Sequence, residues 1–438
     1  MKLVWTAAIL LAQATNGGLL RAQGRGSEHW VVTWATAELL ARSAVPPPAQ
    51  PATPPAGQPA TPPRPVPVGA RGFHNQTVRM MARVSMGGRR LRVKFENAFG
   101  SAPVEIGAAH IALRDRESTI VDGSDRALLF AGKPGCTLGP GVVLYSDPVD
   151  LHVAPLADVA VSLFFPGETG PPTNHATGLH TTYVKEGDTT AEPAMSGAQT
   201  TQSYYWLAAI DVDAPPSAGA IVAFGDSITD GARSTSETNH SWPALLAARL
   251  AANKQTTGIG VANEGIGGNR VLRDGTGASA LARLDRDALT QAGVKWLMVL
   301  EGINDIGHSA TDPREHVTVE DLIAGHQQLI EQAHALGIRV IGCTLTPYEG
   351  AGYARDTGEQ IREALNHWIR SGGAYDAVVD FEAAVRDKQN KNRIRAEFDP
   401  GDHLHPNDAG YQAMADAIDL TLFAGKAAVK THEKRPKR

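Results

Sequence analysis

The chain has 438 residues, of which 42% are hydrophobic and 20% are charged, and its formal net charge is −5 at pH 7. Because single hydrophobic cores usually stop growing below this chain length, we expect two domains. The charge balance argues against a nucleic-acid-binding protein or one that adheres to acidic membranes, since both need a basic surface.

The N-terminus has the pattern of an export signal. Lys2 precedes an apolar run from Leu3 to Leu11, and Ala12-Gln13-Ala14 is a candidate cleavage site. The run is too short to span a bilayer, and no later run is long enough. Residues 1–23 are therefore predicted to be a signal peptide, and the protein is predicted to be secreted or periplasmic, without a membrane span.

Residues 28–213 are predicted to form an all-β sandwich of the jelly-roll type. Short runs such as "RLRVKFENAF", "DVAVSLFF" and "GVVLYSD" alternate apolar and polar residues and are separated by Gly, Pro and Asp turns, which is typical of antiparallel sheets. The proline-rich segment 44–68 follows one strand-like run, "WVVTWATA". We therefore expect it to interrupt this domain as an extended insertion.

After the linker "DAPPSAGA" the pattern changes to strand-like runs that alternate with helical stretches, over residues 217–425. The clearest helix is expected to start at the Thr318–Asp321 capping pattern and to end at Gly337. Alternating strands and helices predict a parallel sheet covered on both faces. The basic segment 426–438 is interpreted as a solvated tail.

Ser227 lies in the turn after the first of these strands, in "GDSITDG". Ligands of open α/β sheets bind at the carboxyl ends of the strands, so this serine is a candidate nucleophile. The alternative is that its hydroxyl only caps the following helix, because serine is a favoured N-cap residue.

Three further turns at the same sheet edge carry candidate partners. The glycines of "NEGIGGNR" can present a backbone N–H to an oxyanion, and Asn304 of "LEGINDIG" can present its amide. In "DPGDHLHP", Asp402 can orient His405 as a general base. Each signal has a simpler explanation as a turn or solvated loop, but together they predict one catalytic site.

The ordered blocks "GDSITDG", "NEGIGGN", "EGIND" and "DHLHP" resemble those of the SGNH/GDSL hydrolases over roughly residues 219–424. The resemblance implies a flavodoxin-like, three-layer α/β/α fold with a parallel sheet, and the preceding β-domain is similar to that of bacterial secreted members. It implies Ser227 as nucleophile, His405 as base, Asp402 as its partner, and an oxyanion hole of Ser227, Gly268 and Asn304. Gly268 is preferred to Gly267 because it precedes Asn269.

The implied reaction is ester hydrolysis through an acyl-enzyme, without a cofactor or metal; the chain has no CxxC, HExxH or Walker motif. The alternatives are an acyltransferase, a lipase or phospholipase with the same triad, and an inactive carbohydrate-binding protein.

The turns near the motifs are polar, which favours a short acyl group, chiefly acetyl, on a small molecule or polysaccharide. Four residues in or near these turns are candidates for binding a sugar, although they could instead hold the loops together: Arg270, Trp242, Glu301 and Asp305.

Overall fold

The computed structural model describes residues 28–39 and 67–424. The predicted signal peptide, most of the proline-rich segment and the whole basic tail lie outside the described residues. Within the described part of the chain, no helix is long and apolar enough to cross a membrane.

Within residues 28–39 and 67–213, the regular elements that the structure describes are all strands, in antiparallel sheets. The strands are β1 (Trp30–Ala35), β2 (Gln76–Arg83), β3 (Gly88–Glu96), β4 (Val104–Ile106), β5 (Ala108–Arg116), β6 (Thr119–Ile120), β7 (Arg126–Ala127), β8 (Cys136–Leu138), β9 (Val143–Tyr145), β10 (Val149–Val153), β11 (Asp158–Phe165), β12 (Asn174–His175), β13 (Thr182–Glu186), β14 (Gln199–Thr201), β15 (Tyr204–Tyr205) and β16 (Leu207–Asp213). We call this part the β-region.

Two larger sheets make up most of the β-region. One has the order β1-β16-β3-β10, with β9 also paired to β3, and the other has the order β14-β13-β2-β11-β5-β6, with β7 also paired to β5. Residues such as Val93 of β3 and Val161 of β11 are fully buried in one shared core, so the two sheets pack as a sandwich. Strand β1 precedes the proline-rich segment and pairs with β16, the last strand of the β-region.

The C-terminal part contains one parallel sheet. Its strands are β17 (Gly219–Gly225), β18 (Ile259–Gly265), β19 (Val294–Leu300), β20 (Arg339–Cys343) and β21 (Ala377–Val379), in the order β18-β17-β19-β20-β21. This order reverses beside β17, where open α/β sheets bind their ligands.

The helices of this part are α1 (Ser227–Asp230), α2 (Trp242–Ala252), α3 (Ala280–Leu284), α4 (Ile303–Thr311), α5 (Val319–Ala335), α6 (Asp356–Ser371), α7 (Phe381–Val385) and α8 (Asp408–Asp416). Short 3₁₀ or π segments occur at Asp285–Leu289, Pro313–Glu315, Ala396–Phe398 and Leu420–Leu422.

Alternate residues of β17 face different helices. Val222 and Phe224 share a core with α3 and α5, whereas Ile221 and Ala223 share a core with α2 and α8. The sheet is therefore covered on both faces, as the sequence predicts. Thr318 caps α5 in a reciprocal capping box with Asp321. The predicted fold class, a parallel α/β domain preceded by an antiparallel all-β region, is confirmed.

The β-region covers the outer edge of the parallel sheet at β18. The Ser85 hydroxyl accepts a hydrogen bond from the Val261 N–H at 2.8 Å and donates its own proton to the Thr33 carbonyl of β1 at 2.6 Å. A Cβ atom added to Gly260 would lie 2.3 Å from the Val32 carbonyl oxygen, so only glycine permits this close approach. The contact gives an edge strand the partners that it would otherwise lack.

Candidate active site

Ser227 is the first residue of the short helix α1, directly after β17. The N-cap is Asp226, whose carboxylate accepts a hydrogen bond from the Ile228 N–H at 2.9 Å. The serine hydroxyl is therefore not needed to cap the helix, and it lies 2.8 Å from Nε2 of His405. Among the described residues, the Ser227 N–H has no intramolecular hydrogen-bond partner.

His405 and Asp402 lie in the loop before α8 and form a hydrogen-bonded pair. Nδ1 of His405 lies 2.9 Å from one carboxylate oxygen of Asp402. The other oxygen accepts hydrogen bonds from the N–H groups of Leu404 and His405 at 3.1 and 3.0 Å. With Nδ1–H donated to the carboxylate, Nε2 can accept the proton of the serine hydroxyl.

Arg233 is a further partner of Asp402 that the sequence did not single out. Its Nε donates to the Asp402 carboxylate at 2.8 Å. Partial burial acts to raise the pKa of Asp402, but hydrogen bonds from the His405 backbone and ring and from Arg233 outweigh it and hold the pKa well below the usual range. Asp402 is therefore ionised over the whole neutral range.

The glycine-rich turn after β18 packs against the nucleophile. The Asn269 N–H donates to the Ile266 carbonyl at 3.0 Å, and Gly268 at the third position of this turn has φ +80°, a conformation that favours glycine. The Gly268 N–H also has no intramolecular partner in the described chain. A Cβ atom added to Gly267 would lie 3.9 Å from the Cβ of Ser227, so the turn lies against the serine.

Asn304 is buried in the first turn of α4, and both ends of its amide have partners. Its Nδ2 donates to the Asn269 carbonyl at 2.9 Å, and its Oδ1 accepts from the Tyr353 hydroxyl at 3.2 Å. The first contact joins Asn304 to the glycine-rich turn, and the second fixes which way the amide points. One N–H of the amide stays available to a substrate.

Arg283 of α3 braces the ends of the two strands that lead to the site. Its guanidinium is fully buried and donates to the carbonyls of Gly225 and Glu264 at 2.9 and 2.8 Å and to the Asn269 amide oxygen at 2.9 Å. Neither Arg283 nor Tyr353 stands in a recognisable motif, and the sequence gives no signal for either role.

Two buried carboxyls lie beneath the site. Burial raises the pKa of Asp226 to about 7, although its hydrogen bond from Ile228 acts to lower it. Burial, and then the negative charge of Asp226, raise the pKa of Glu301 well above its usual value. Neither oxygen of Glu301 has a hydrogen-bond partner in the described structure. These surroundings favour the protonated form of Glu301.

The four residues named as candidates for binding a sugar are buried and contact protein, which favours the alternative that they hold the loops together. Trp242 is 0% exposed and packs on Phe381 with a ring-centroid distance of 5.3 Å. Asp305 is buried and accepts hydrogen bonds from the N–H groups of Val271 and Leu272. The remaining two are also buried and face protein: Glu301 beneath Asp226, and Arg270 against Glu315 at 3.0 Å.

The described residues include no group of three or more His, Cys, Asp or Glu side chains arranged to bind a metal ion. Cys136 and Cys343 are both free thiols, the first partly and the second fully buried.

Comparisons with known proteins bear on residues 221–418, which match the model of the GDSL-like lipase/acylhydrolase family. No curated protein matches the chain. Similar solved structures include Axe2, an acetylxylan esterase from Geobacillus stearothermophilus, at 26% identity and a TM-score of 0.36, covering 45% of this chain and 91% of Axe2.

A lipolytic protein of the G-D-S-L family from Desulfitobacterium hafniense is 22% identical, with a TM-score of 0.35, and covers 45% of this chain and 96% of its own. LAE5, an alpha/beta hydrolase from the metagenome of Lake Arreo, is 22% identical, with a TM-score of 0.36, and covers 46% of this chain and 94% of its own. The family model carries the assignment: residues 221–418 form a GDSL-like lipase/acylhydrolase domain, and the protein is an ester hydrolase.

Proposed function

We propose that the protein hydrolyses esters of short acyl groups, chiefly acetyl, on carbohydrates, with Ser227, His405 and Asp402 as a catalytic triad. The observation that carries the proposal is the continuous hydrogen-bonded chain from the Ser227 hydroxyl through both ring nitrogens of His405 to the Asp402 carboxylate. This arrangement suits proton removal from a serine as it attacks a carbonyl.

In the proposed reaction the Ser227 oxygen forms a bond to the ester carbonyl carbon while Nε2 of His405 takes the hydroxyl proton. The tetrahedral oxyanion accepts hydrogen bonds from the N–H groups of Ser227 and Gly268 and from the Asn304 amide. The carbon–oxygen bond to the alcohol then breaks, and the alcohol leaves with the proton from His405. Water, deprotonated by His405, attacks the acyl-enzyme; the bond between the acyl carbon and the Ser227 oxygen then breaks, His405 returns the proton to that oxygen, and the acid is released.

The preference for a short acyl group is supported by the segments beside the serine and Asn304. Residues 229–241, "TDGARSTSETNHS", and residues 307–316, "GHSATDPREH", are mostly polar. A long acyl chain needs an apolar groove, usually with an apolar cover. The export signal predicted for residues 1–23 supports action outside the cytoplasm, where polysaccharides occur.

The test is hydrolysis of 4-nitrophenyl acetate, butyrate and octanoate by the purified protein and by Ser227→Ala. We expect kcat/KM to fall steeply from acetate to octanoate, and Ser227→Ala to abolish hydrolysis of all three. A preference for octanoate would refute the short-acyl proposal in favour of a lipase, and full activity of Ser227→Ala would refute the triad.

A further inference from the structure

A cleft of about 610 Å³ lies between the β-region and the hydrolase domain. We call it the interdomain cleft. Four residues of the hydrolase domain line one side: Asp230, Gly267, Thr276 and Gly277. Most of the remaining wall belongs to the β-region, including Pro172, Asn174, His175, Thr177, Ser203 and Tyr205.

The interdomain cleft does not include Ser227 among its lining residues, but it reaches two segments that adjoin this candidate nucleophile. Asp230 is the last residue of α1, the four-residue helix that begins with Ser227. Gly267 belongs to the turn that packs on Ser227, at the 3.9 Å approach given above. A substrate bound in the cleft would therefore have one end beside the serine and the rest against the β-region.

The cleft walls carry no unbalanced charge. His175 and Asp230 both line it, but they pair with each other, with Nε2 of His175 3.1 Å from the Asp230 carboxylate. The polar side chains besides this pair are amides and hydroxyls. Those of Asn174 and Thr177 have no intramolecular hydrogen-bond partner within the described part of the chain. Such walls suit an uncharged ligand with several hydroxyl groups better than a phosphate or a carboxylate.

The volume of the cleft indicates which part of an ester, the acyl group or the alcohol, it would bind. A volume of about 610 Å³ lies in the range of pockets that enclose a whole small-molecule ligand, and it far exceeds what a short acyl group occupies. The alcohol part of the substrate is the part large enough to use it.

We propose that the interdomain cleft binds the alcohol part of the ester, and that this part is an uncharged sugar residue held by Asn174 and Thr177 of the β-region. The proposal rests on the proposed function, since it assumes that Ser227 attacks the acyl group. It assigns substrate selection to the β-region and bond cleavage to the hydrolase domain.

The test compares two esters with the same acyl group: a mono-acetylated methyl glycoside and ethyl acetate. Thr177→Trp should fill part of the cleft, because Thr177 is exposed there. We expect it to lower kcat/KM for the sugar ester at least about tenfold, mainly by raising KM, and to leave ethyl acetate within about twofold. Thr137→Trp is the matched control, since Thr137 is an exposed threonine of β8 outside the cleft, and it should change neither rate.

Asn174→Ala is a second variant that removes hydrogen bonds without adding bulk. It should lower kcat/KM for the sugar ester roughly twofold to tenfold, the effect of one lost hydrogen bond, and leave ethyl acetate unchanged. Equal losses on both esters, or no loss on the sugar ester in Thr177→Trp, would overturn the proposal. So would a wild-type protein that cleaves ethyl acetate but not the sugar ester.

A separate measurement decides the proposed function. If Ser227→Ala hydrolyses ethyl acetate as fast as the wild-type protein, the serine mechanism fails, whatever the cleft variants do. If Ser227→Ala is inactive and the cleft variants do not discriminate between the esters, the mechanism stands and the cleft proposal fails.

Discussion

Two histidine–aspartate pairs contact the two ends of helix α1, and they differ in the second partner of the imidazole. His405 contacts Asp402 with Nδ1 and the Ser227 hydroxyl with Nε2. His175 contacts Asp230 with Nε2 and the Ala37 carbonyl with Nδ1, at 2.8 Å. A hydroxyl can donate a hydrogen bond, whereas a carbonyl can only accept one.

This difference changes what each ring can do. Nε2 of His405 faces a hydroxyl, whose proton it can accept. His175 has an acceptor at each nitrogen, an arrangement that favours the doubly protonated ring. Burial acts to lower its pKa, but the charge and hydrogen bond of Asp230 outweigh burial and raise it. The same two residue types therefore suit a base in one place and a buried cation in the other.

The most direct test of this comparison is to replace His405. His405→Ala removes the proposed base, so kcat for ester hydrolysis should fall at least about 10³-fold. His403→Ala is the matched control, because His403 lies in the same loop and pairs with Asp399 rather than with the serine. It should keep most of the activity, as measured by steady-state kinetics on 4-nitrophenyl acetate. Equal losses in the two variants would contradict the assignment of His405.

Substitutions at the proposed oxyanion donors should have the next largest effect on kcat. Asn304→Ala should lower kcat roughly a hundredfold with little change in KM, because the donor acts on charge that develops in the transition state. Tyr353→Phe keeps the amide but removes the hydroxyl that orients it, so we expect a smaller loss, roughly twofold to tenfold. A near-normal kcat in Asn304→Ala would show that Asn304 only shapes its turn.

The third prediction concerns His175, whose pair with Asp230 should contribute to the free energy of unfolding in a pH-dependent way. His175→Gln should lower the free energy of unfolding by about 2 kcal/mol at pH 6, because the charge-assisted hydrogen bond to the Asp230 carboxylate is lost. A histidine whose pKa is higher in the folded than in the unfolded protein stabilises the folded state. This stabilisation is fully present below the unfolded-state pKa of about 6.5 and is lost as the pH rises through the folded-state pKa. The difference between wild type and variant should therefore shrink above neutral pH, as measured by urea unfolding.

The control for His175 is His334→Gln. His334 pairs with Asp376 at 2.9 Å, but its side chain is 42% exposed, whereas that of His175 is 3% exposed. An exposed pair contributes about 0–1 kcal/mol, so this variant should be nearly neutral at both pH values. If His175→Gln lowers the free energy of unfolding equally at pH 6 and at pH 9, then packing, and not charge, accounts for the stabilisation by His175.

The fold and the meeting of the four motif turns could be predicted from the sequence. The strands of a parallel sheet end at one edge, so residues far apart in the chain, such as Ser227 and His405, meet once the strands are identified. The boundaries of α5 were also readable, because Thr318 and Asp321 satisfy the capping pattern within four residues. These signals are local, or follow from a regular topology.

The substrate contacts could not be predicted in the same way. Trp242 and Asp305 lie near motifs, but nearness along the chain does not tell whether a side chain faces the ligand or the core. Trp242 starts an amphipathic helix and points inward, and Asp305 ties down a neighbouring turn. Tyr353 reaches Asn304, and His175 of β12 reaches Asp230, through tertiary contacts that no local sequence pattern marks.

The contact of Ser85 and Val32 with β18 also bears on how this protein can be divided. The linker at residues 213–220 is a border in the sequence, but the buried surface continues across it from β1 to the parallel sheet. Cutting the chain there would expose a strand edge able to pair with a second molecule. An engineer or an evolving lineage could exchange this β-region only for another element that shields the same edge.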